Sequence, residues 1–345
     1  TIRELLLATL DPGENPLRIR DSLAHLESRA FNLHERDERF VFLAIENPYA
    51  RITAMAVSDR VSGDAVREQI IAAIESKWGA RERTAIFAST DWDGLKSRLR
   101  ELRGQRPRVV LSLTVLSHQD RLRVQNLDEQ RNLVLIVEPK VRTESGGPGY
   151  SLLHDDDLEL RARRIEACKI LLEGRPAEDS EEVYRRVRDE ERTRLAAEVA
   201  DRYGTTIVWE KAGASDSPVD GSWYELHALE RFSAQSLLHM LERDLTGKPE
   251  IAHAITDRWK SYRHRSVAAL AETFDSTPSL PIPFDASWVP EAVRELARAG
   301  SLSLVDESGA TLSRKQLDDL GIEQLGNCTI VDPRPIEGEK EESET

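Results

Sequence analysis

Cysteine is nearly absent: the chain has two, Cys168 and Cys328, far apart in sequence and at no metal-ligand spacing. A disulfide framework and a cysteine-built zinc site are therefore excluded, leaving two reduced, buried thiols as the expectation. Lysine is also sparse, because the basic residues are overwhelmingly arginine, and the net charge is −14. An acidic body of this kind repels nucleic acid as a whole, so any such contact must come from a local patch. No apolar run approaches the length of a membrane span, and no basic-then-apolar leader opens the chain, so a cytoplasmic protein without membrane contact is expected. Missing too are HExxH, GxSxG and any arguable Cys-His arrangement; His118 and His154 stand isolated. Nothing activates a nucleophile, which speaks against covalent catalysis. The chain opens at Thr1 rather than Met, which leads us to expect a processed or excised piece of something larger.

What is present begins with Arg131 to Lys140, whose apolar run Leu133 to Val137 is rich in β-branched residues and reads as a fully buried strand. Phe40 to Ile45 and Val109 to Leu113 have the same character, and Thr84 to Ala88 is a weaker case. Helical spacing fills the intervals, as at Val66, Ile70 and Ile74. The fold class expected is α/β, with a mainly parallel sheet and crossover helices covering both faces.

Before this block, an apolar helix (2–10), a second helix (17–30) and two apolar ends flanking a charged turn (31–45) outline a winged-helix-like module. After it, Leu152 to Gly174 and Ser180 to Tyr203 read as a long charged helical hairpin. One helix would bury Leu160, Ile165, Cys168 and Leu172, the other Val183, Val187, Leu195 and Val199. Thr205 to Trp209 resembles a returning strand, and three helices fill 233–274. The domains expected are a winged-helix-like module (1–46), an α/β core (47–150, sharing strand 40–45), a helical region (151–275), a small α+β module (276–334) after a proline-rich linker, and a disordered acidic tail (335–345).

Few motifs carry chemistry. Gly146-Gly147-Pro148-Gly149 lacks the Lys-Ser/Thr that a phosphate loop places at the mouth of the next helix, so it reads as a plain loop. Asp155, Asp156, Asp157 and Glu159 have no glycine-kinked cage around them and suit a helix N-terminus better than a cation. No metal site is expected. Two basic clusters stand out: Lys96, Arg98, Arg100, Arg103, Arg106 and Arg108, and then Arg258, Lys260, Arg263, His264 and Arg265 with Trp259 and Tyr262 among them. Cations interleaved with aromatics suit phosphate and base contacts, which makes the second cluster the nucleic-acid candidate. Solvated helix faces also carry arginine, and that is the competing account.

Three passages together carry a resemblance. Leu17 to Phe42 followed by Glu46-Asn47-Pro48, the Arg131-Asn132 strand closing on Glu138-Pro139, and Leu280-Pro281 with Gly300-Ser301-Leu302 resemble the post-motor (C-terminal) region of large defence-associated AAA-type ATPases of the phage-exclusion type. No P-loop lysine, Walker B acid or sensor residue has a counterpart here, so no catalytic residue carries over. The resemblance implies a non-catalytic accessory region that engages the rest of a parent ATPase, a protein partner or, through a local basic patch, nucleic acid. ATP belongs only to a missing motor domain, and no cofactor is expected in this chain. The alternative is a stand-alone α/β enzyme acting on a phosphoester or nucleotide. Its pocket would gather Glu46, Ser89, Asp91, Ser117 and Glu138 at the carboxyl ends of the strands, where open α/β sheets bind ligands.

Overall fold

The structure, a computed structural model, describes residues 21–22, 25–26, 30, 32–36, 39–42, 46–140, 149–209, 224–244 and 248–333. In chain order it contains β1 (Leu33–Arg36), β2 (Arg39–Phe42), α1 (Pro48–Ala56), α2 (Gly63–Trp78), β3 (Thr84–Phe87), α3 (Trp92–Glu101), β4 (Arg108–Ser112), α4 (His118–Gln125), β5 (Val134–Pro139), α5 (Asp156–Glu173) and α6 (Glu178–Arg202). There follow β6 (Tyr203–Trp209), β7 (Tyr224–Ala228), α7 (Ala234–Asp244), α8 (Lys248–Tyr262), α9 (Val267–Ser276), α10 (Trp288–Arg298), β8 (Ser303–Val305), α11 (Arg314–Asp319), α12 (Ile322–Asn327) and β9 (Thr329–Val331). Among the described residues, no helix is long and apolar enough to cross a membrane.

The chain is mixed α/β. Two compact units divide it: residues 1–77 with 151–202, and residues 78–150 with 203–345. One of the crossings, 150/151, coincides with an expected boundary. The expected helical region is shared out, its hairpin falling in the first unit and residues 203–275 in the second.

In the first unit, α1 packs against both α5 and α6, and α5 and α6 pair along their length. Asn47 caps α1, its side chain accepting from the Tyr49 amide at 2.9 Å, and Pro48 supplies a preset first turn. Asp155 caps α5 in the same way and also accepts from Arg202 Nε at 2.8 Å. The acidic run therefore serves a helix start and an ion pair, as the electrostatics of a helix N-terminus favour. The buried seam holds Leu158, Ala162, Ile165 and Cys168 on α5, with Tyr184, Val187, Leu195 and Val199 on α6. Leu160, expected inside, is 52% exposed, because Leu158 occupies the inward position of that turn. Inside the seam Glu191 is buried and receives Arg161 and Arg164, each at 2.8 Å. The β1–β2 hairpin also belongs to this unit. The run 40–45, expected as the first strand of the main sheet, instead supplies β2, and the large sheet begins at Thr84. Hairpin closure across a short charged turn costs less chain entropy than a distant parallel pairing. The two helices expected before the hairpin lie almost wholly outside the described residues, as do residues 43–45 and 335–345.

The second unit is built on a five-stranded sheet in the order β3-β4-β5-β6-β7. Strands β3, β4 and β5 run parallel, as the alternating pattern predicts, β6 returns antiparallel, and β7 restores the first direction. On one face Ala85, Phe87, Val110, Val134, Ile136 and Ile207 pack against leucines of α3 and against Leu116 and Val124. The alternate residues Val109, Leu111, Leu135 and Val137 are equally buried, so both faces of the central strands are covered. A second core joins α8, α9 and α10 to β8 and β9 through Ile251, Ile255, Leu270, Phe274, Val293 and Ile330. Gly300 takes φ +74 at the end of α10, and the Ser301 amide reaches back to the Leu296 carbonyl at 3.0 Å. That left-handed glycine stop is what the sequence position predicts.

Candidate functional site

The ends of β3, β4 and β5 supply the first candidate. After β3 the chain turns through Ser89, held at φ +61, and Asp91 caps α3 by accepting from the Gly94 amide at 2.9 Å. After β4, Thr114 Oγ1 donates to Ser89 Oγ at 3.4 Å, which ties the two loops together. Ser117 caps α4: its hydroxyl accepts from the Asp120 amide at 3.2 Å and donates to the Asp120 carboxylate at 2.6 Å. At the end of β5, Glu138 is 1% exposed and accepts two hydrogen bonds from Arg121, at 2.9 Å from Nε and 2.7 Å from Nη2. Burial raises the pKa of this carboxyl, and Arg121 and the Leu116 amide pull it back down. Tyr203 OH donates to the Ser112 carbonyl at 2.9 Å, and its pKa is driven up by burial alone.

Four of the five expected pocket residues therefore follow three neighbouring strand ends in one unit. Glu46 does not: it lies in the first unit and pairs with Arg51 at 3.0 Å. The hydroxyls and carboxylates at the strand ends close on helix amides and on an arginine, so the arrangement builds loops and helix starts. Of the glycine-rich loop only Gly149 is described; it sits at φ +101 and donates to the Val115 carbonyl at 3.0 Å.

Four of the six residues of the first basic cluster are engaged within the fold, while Lys96 and Arg100 are exposed. Arg98 reaches Glu101 and the carbonyls of Thr84 and Arg81, Arg103 pairs with Glu129, Arg106 with Asp275 and Arg108 with Asp128. In the second cluster, Tyr262 is buried, whereas Lys260, Arg263, His264 and Arg265 are exposed and Arg258 is half-buried. Trp259 belongs to α8, and nothing further of it is described. Arg263 pairs with Asp332 at 2.8 Å and donates through Nε to His264 Nε2 at 3.0 Å, while Arg265 reaches Thr273 Oγ1 at 3.2 Å.

At the opposite ends of β4 and β5, Arg106 and Arg108 of that cluster and Asn132 of the resembling passage join a polar cluster whose pairing was not foreseen from sequence. Arg108, 0% exposed at the head of β4, donates to Asp128 at 2.8 Å and to the Gln130 carbonyl at 3.1 Å. Arg106 clasps Asp275 with two bonds of 2.6 and 2.7 Å, and Gln130 Nε2 joins at 3.2 Å. Asn132 Nδ2 donates to the carbonyls of Phe274 at 2.7 Å, Leu280 at 3.1 Å and Pro281 at 3.3 Å. Thus the Arg131-Asn132 and Leu280-Pro281 passages, far apart in the chain, meet in space.

Among the described residues, no group of three or more His, Cys, Asp or Glu side chains could hold a metal ion. Both cysteines are free and buried, and burial raises the Cys168 thiol to about 12, well away from a reactive thiolate. An open depression of about 610 Å³ beside β8 is lined by Asp306, Glu307, Asp319 and the amides Gln316 and Gln324. No protein-family model matches the chain, and neither a curated protein nor a solved structure is significantly similar to it.

Proposed function

We propose that the chain is a non-catalytic accessory region of a larger AAA-type ATPase, of the kind used in phage defence, which engages a partner of that motor. The observation that supports this reading is the commitment of the strand-end residues. Asp91 and Ser117 are spent on helix amides, and Glu138 is locked by two hydrogen bonds to Arg121. A general acid or base needs a proton-transfer partner within reach of substrate, and a buried carboxylate closed on an arginine by two hydrogen bonds is poorly placed to serve as one. Spatial convergence of Asn132 with Leu280 and Pro281 also gives two of the resembling passages a common structural purpose.

A second reading, a stand-alone α/β enzyme of phosphoester or nucleotide chemistry, draws on Ser89. Its left-handed backbone and its hydroxyl contact with Thr114 sit where such folds bind ligands, and strain of this kind clusters at functional sites. Turnover separates the two. The purified chain is incubated with nucleoside triphosphates and with phosphodiesters in the presence of magnesium, beside Ser89→Ala and Glu138→Gln variants. The accessory reading expects no hydrolysis above background in any of them. Hydrolysis by the natural chain that drops in either variant would overturn it in favour of the enzyme.

A further inference from the structure

Residues 248–333 trace a recognisable chain path. Helix α8 ends at Tyr262, the chain turns through Arg263 and His264, and Arg265 and Ser266 then lie beside β9. The His264 amide donates to the Ile330 carbonyl at 2.8 Å, the Ile330 amide to the Arg265 carbonyl at 2.9 Å and the Val267 amide to the Cys328 carbonyl at 2.9 Å. Ser266 stands opposite Thr329, and β9 pairs on its other side with β8. The order is helix, a one-residue bridge at Ser266, helix, helix, strand, two short helices (α11 and α12) and strand, with β9 lying between Ser266 and β8. A winged helix shares this order except that α11 and α12 stand where its wing would be. The sequence pattern placed such a module at residues 1–46, which lie for the most part outside the described residues.

In helix-turn-helix proteins the second helix of the motif enters the major groove. Here that position falls to α10, whose charged groups are already engaged or of the wrong sign. Glu291 pairs with Lys248, Arg298 pairs with Asp318, Arg294 donates to the Leu320 carbonyl at 2.7 Å, and Glu295 faces solvent. Base reading needs free donors on that helix, so α10 does not supply it.

Exposed cations collect instead at the end of α8 and in the turn that follows it. His264 sits at φ +66, in the left-handed region, as the chain turns from α8 into the ladder. The backbone of 264–267 is held by two bonds to Ile330 of β9 and one to Cys328, while the side chains of Lys260, Arg263 and Arg265 are exposed. The Arg263–Asp332 pair is nearly half-exposed on both sides, and pairs of that kind contribute little and exchange readily. Tyr262 is buried in the helical core and cannot stack on a base, so charge is what the turn offers.

We infer that residues 248–333 are a winged-helix-type module that grips the phosphate backbone of duplex nucleic acid through Lys260, Arg263 and Arg265 without reading its sequence. This rests on the accessory reading, for which it names the partner.

The test is fluorescence anisotropy of the full chain with two duplexes of equal length and unrelated sequence, titrated with salt. Three phosphate contacts predict that log K falls against log salt with a slope of about −2.7. Both duplexes should bind alike at low salt. The K260A/R263A/R265A variant should bind at least about tenfold more weakly, since these side chains supply the counterion release. Arg263→Lys with Arg265→Lys should keep most of the binding, because a point charge suffices for phosphate. All three positions are exposed, and an unchanged thermal unfolding curve verifies that the variants fold. No binding at low salt, binding unaltered in the triple variant, or a sequence preference abolished by Glu295→Ala would each overturn the inference. The accessory reading survives any of these, because turnover alone decides it.

Discussion

At the scale of single residues, Asp275 shows how burial and pairing oppose each other. Its carboxyl is nearly inaccessible and is clasped by Arg106, with Arg108 and Glu272 also within its field. Burial raises its pKa above the ordinary carboxylate value, against the pull of both arginines and with a further upward push from Glu272. The sign of the linkage follows. A carboxyl whose folded-state pKa is raised binds its proton more tightly in the native state than in the unfolded one. Its contribution to stability is therefore present in full below the unfolded value and is lost as pH rises through the folded value. The stability of the natural chain relative to Asp275→Asn is expected to decline as pH climbs from about 4, the unfolded aspartate value, through the raised one. Urea unfolding of both proteins across that window measures it. A difference that grows with pH would mean that the Arg106 clasp outweighs desolvation.

At the scale of elements, Asn132 joins β5 to the linker before α10 and to the end of α9. Its amide serves three carbonyls of that segment, in a place where water has little access. Asn132→Ala removes the donor and leaves buried carbonyls without it, a loss of about 1–3 kcal/mol. Hydrogen exchange should quicken first in residues 274–282, ahead of the sheet. Uniform acceleration across β3, β4 and β5 instead would show that Asn132 supports the strands and not the linker. Such pairings mark the limit of what was legible. The apolar, β-branched runs at 84–88, 109–113 and 133–137 announced β3, β4 and β5, because central strands are buried on both faces and need that composition. β7 was not foreseen: Tyr-Glu-Leu-His-Ala is short, half polar and becomes a strand only through its partner β6. Helices α11 and α12 span a turn or two each and owe their starts to capping by Ser313 and by the Gly321–Gln324 arrangement, beneath the reach of periodicity. At the candidate site, the strand-end positions of Ser89, Asp91, Ser117 and Glu138 could be read from the βα pattern. That Glu138 would close on Arg121, or Arg106 on Asp275, could not, since pairing across long sequence separations leaves no local trace.

At the scale of the whole molecule, the chain visits its two compact units alternately, leaving the first at Lys77, returning at Ser151 and leaving again after Arg202. Each unit keeps a buried charge at its centre, and the two can be broken separately. In the second unit Arg108 is fully buried with Asp128, and burial lowers the arginine's pKa against the upward pull of Asp128. Arg108→Met strands the carboxylate of Asp128 in the core, which costs about 3–5 kcal/mol. In the first unit Glu191 gathers Arg161 and Arg164 in the α5–α6 seam. Glu191→Gln weakens two charge-assisted hydrogen bonds there, a loss of about 2 kcal/mol. If each unit has its own cooperative core, calorimetry should resolve two transitions, with Arg108→Met lowering one and Glu191→Gln the other. Pulse proteolysis followed by mass mapping assigns each transition to its residues: 151–202 should be protected or cut as a block, and 84–139 as another. A single transition shifted by both variants would show that the repeated crossings couple the units into one cooperative fold, so that partner binding at one unit would be felt as stability at the other.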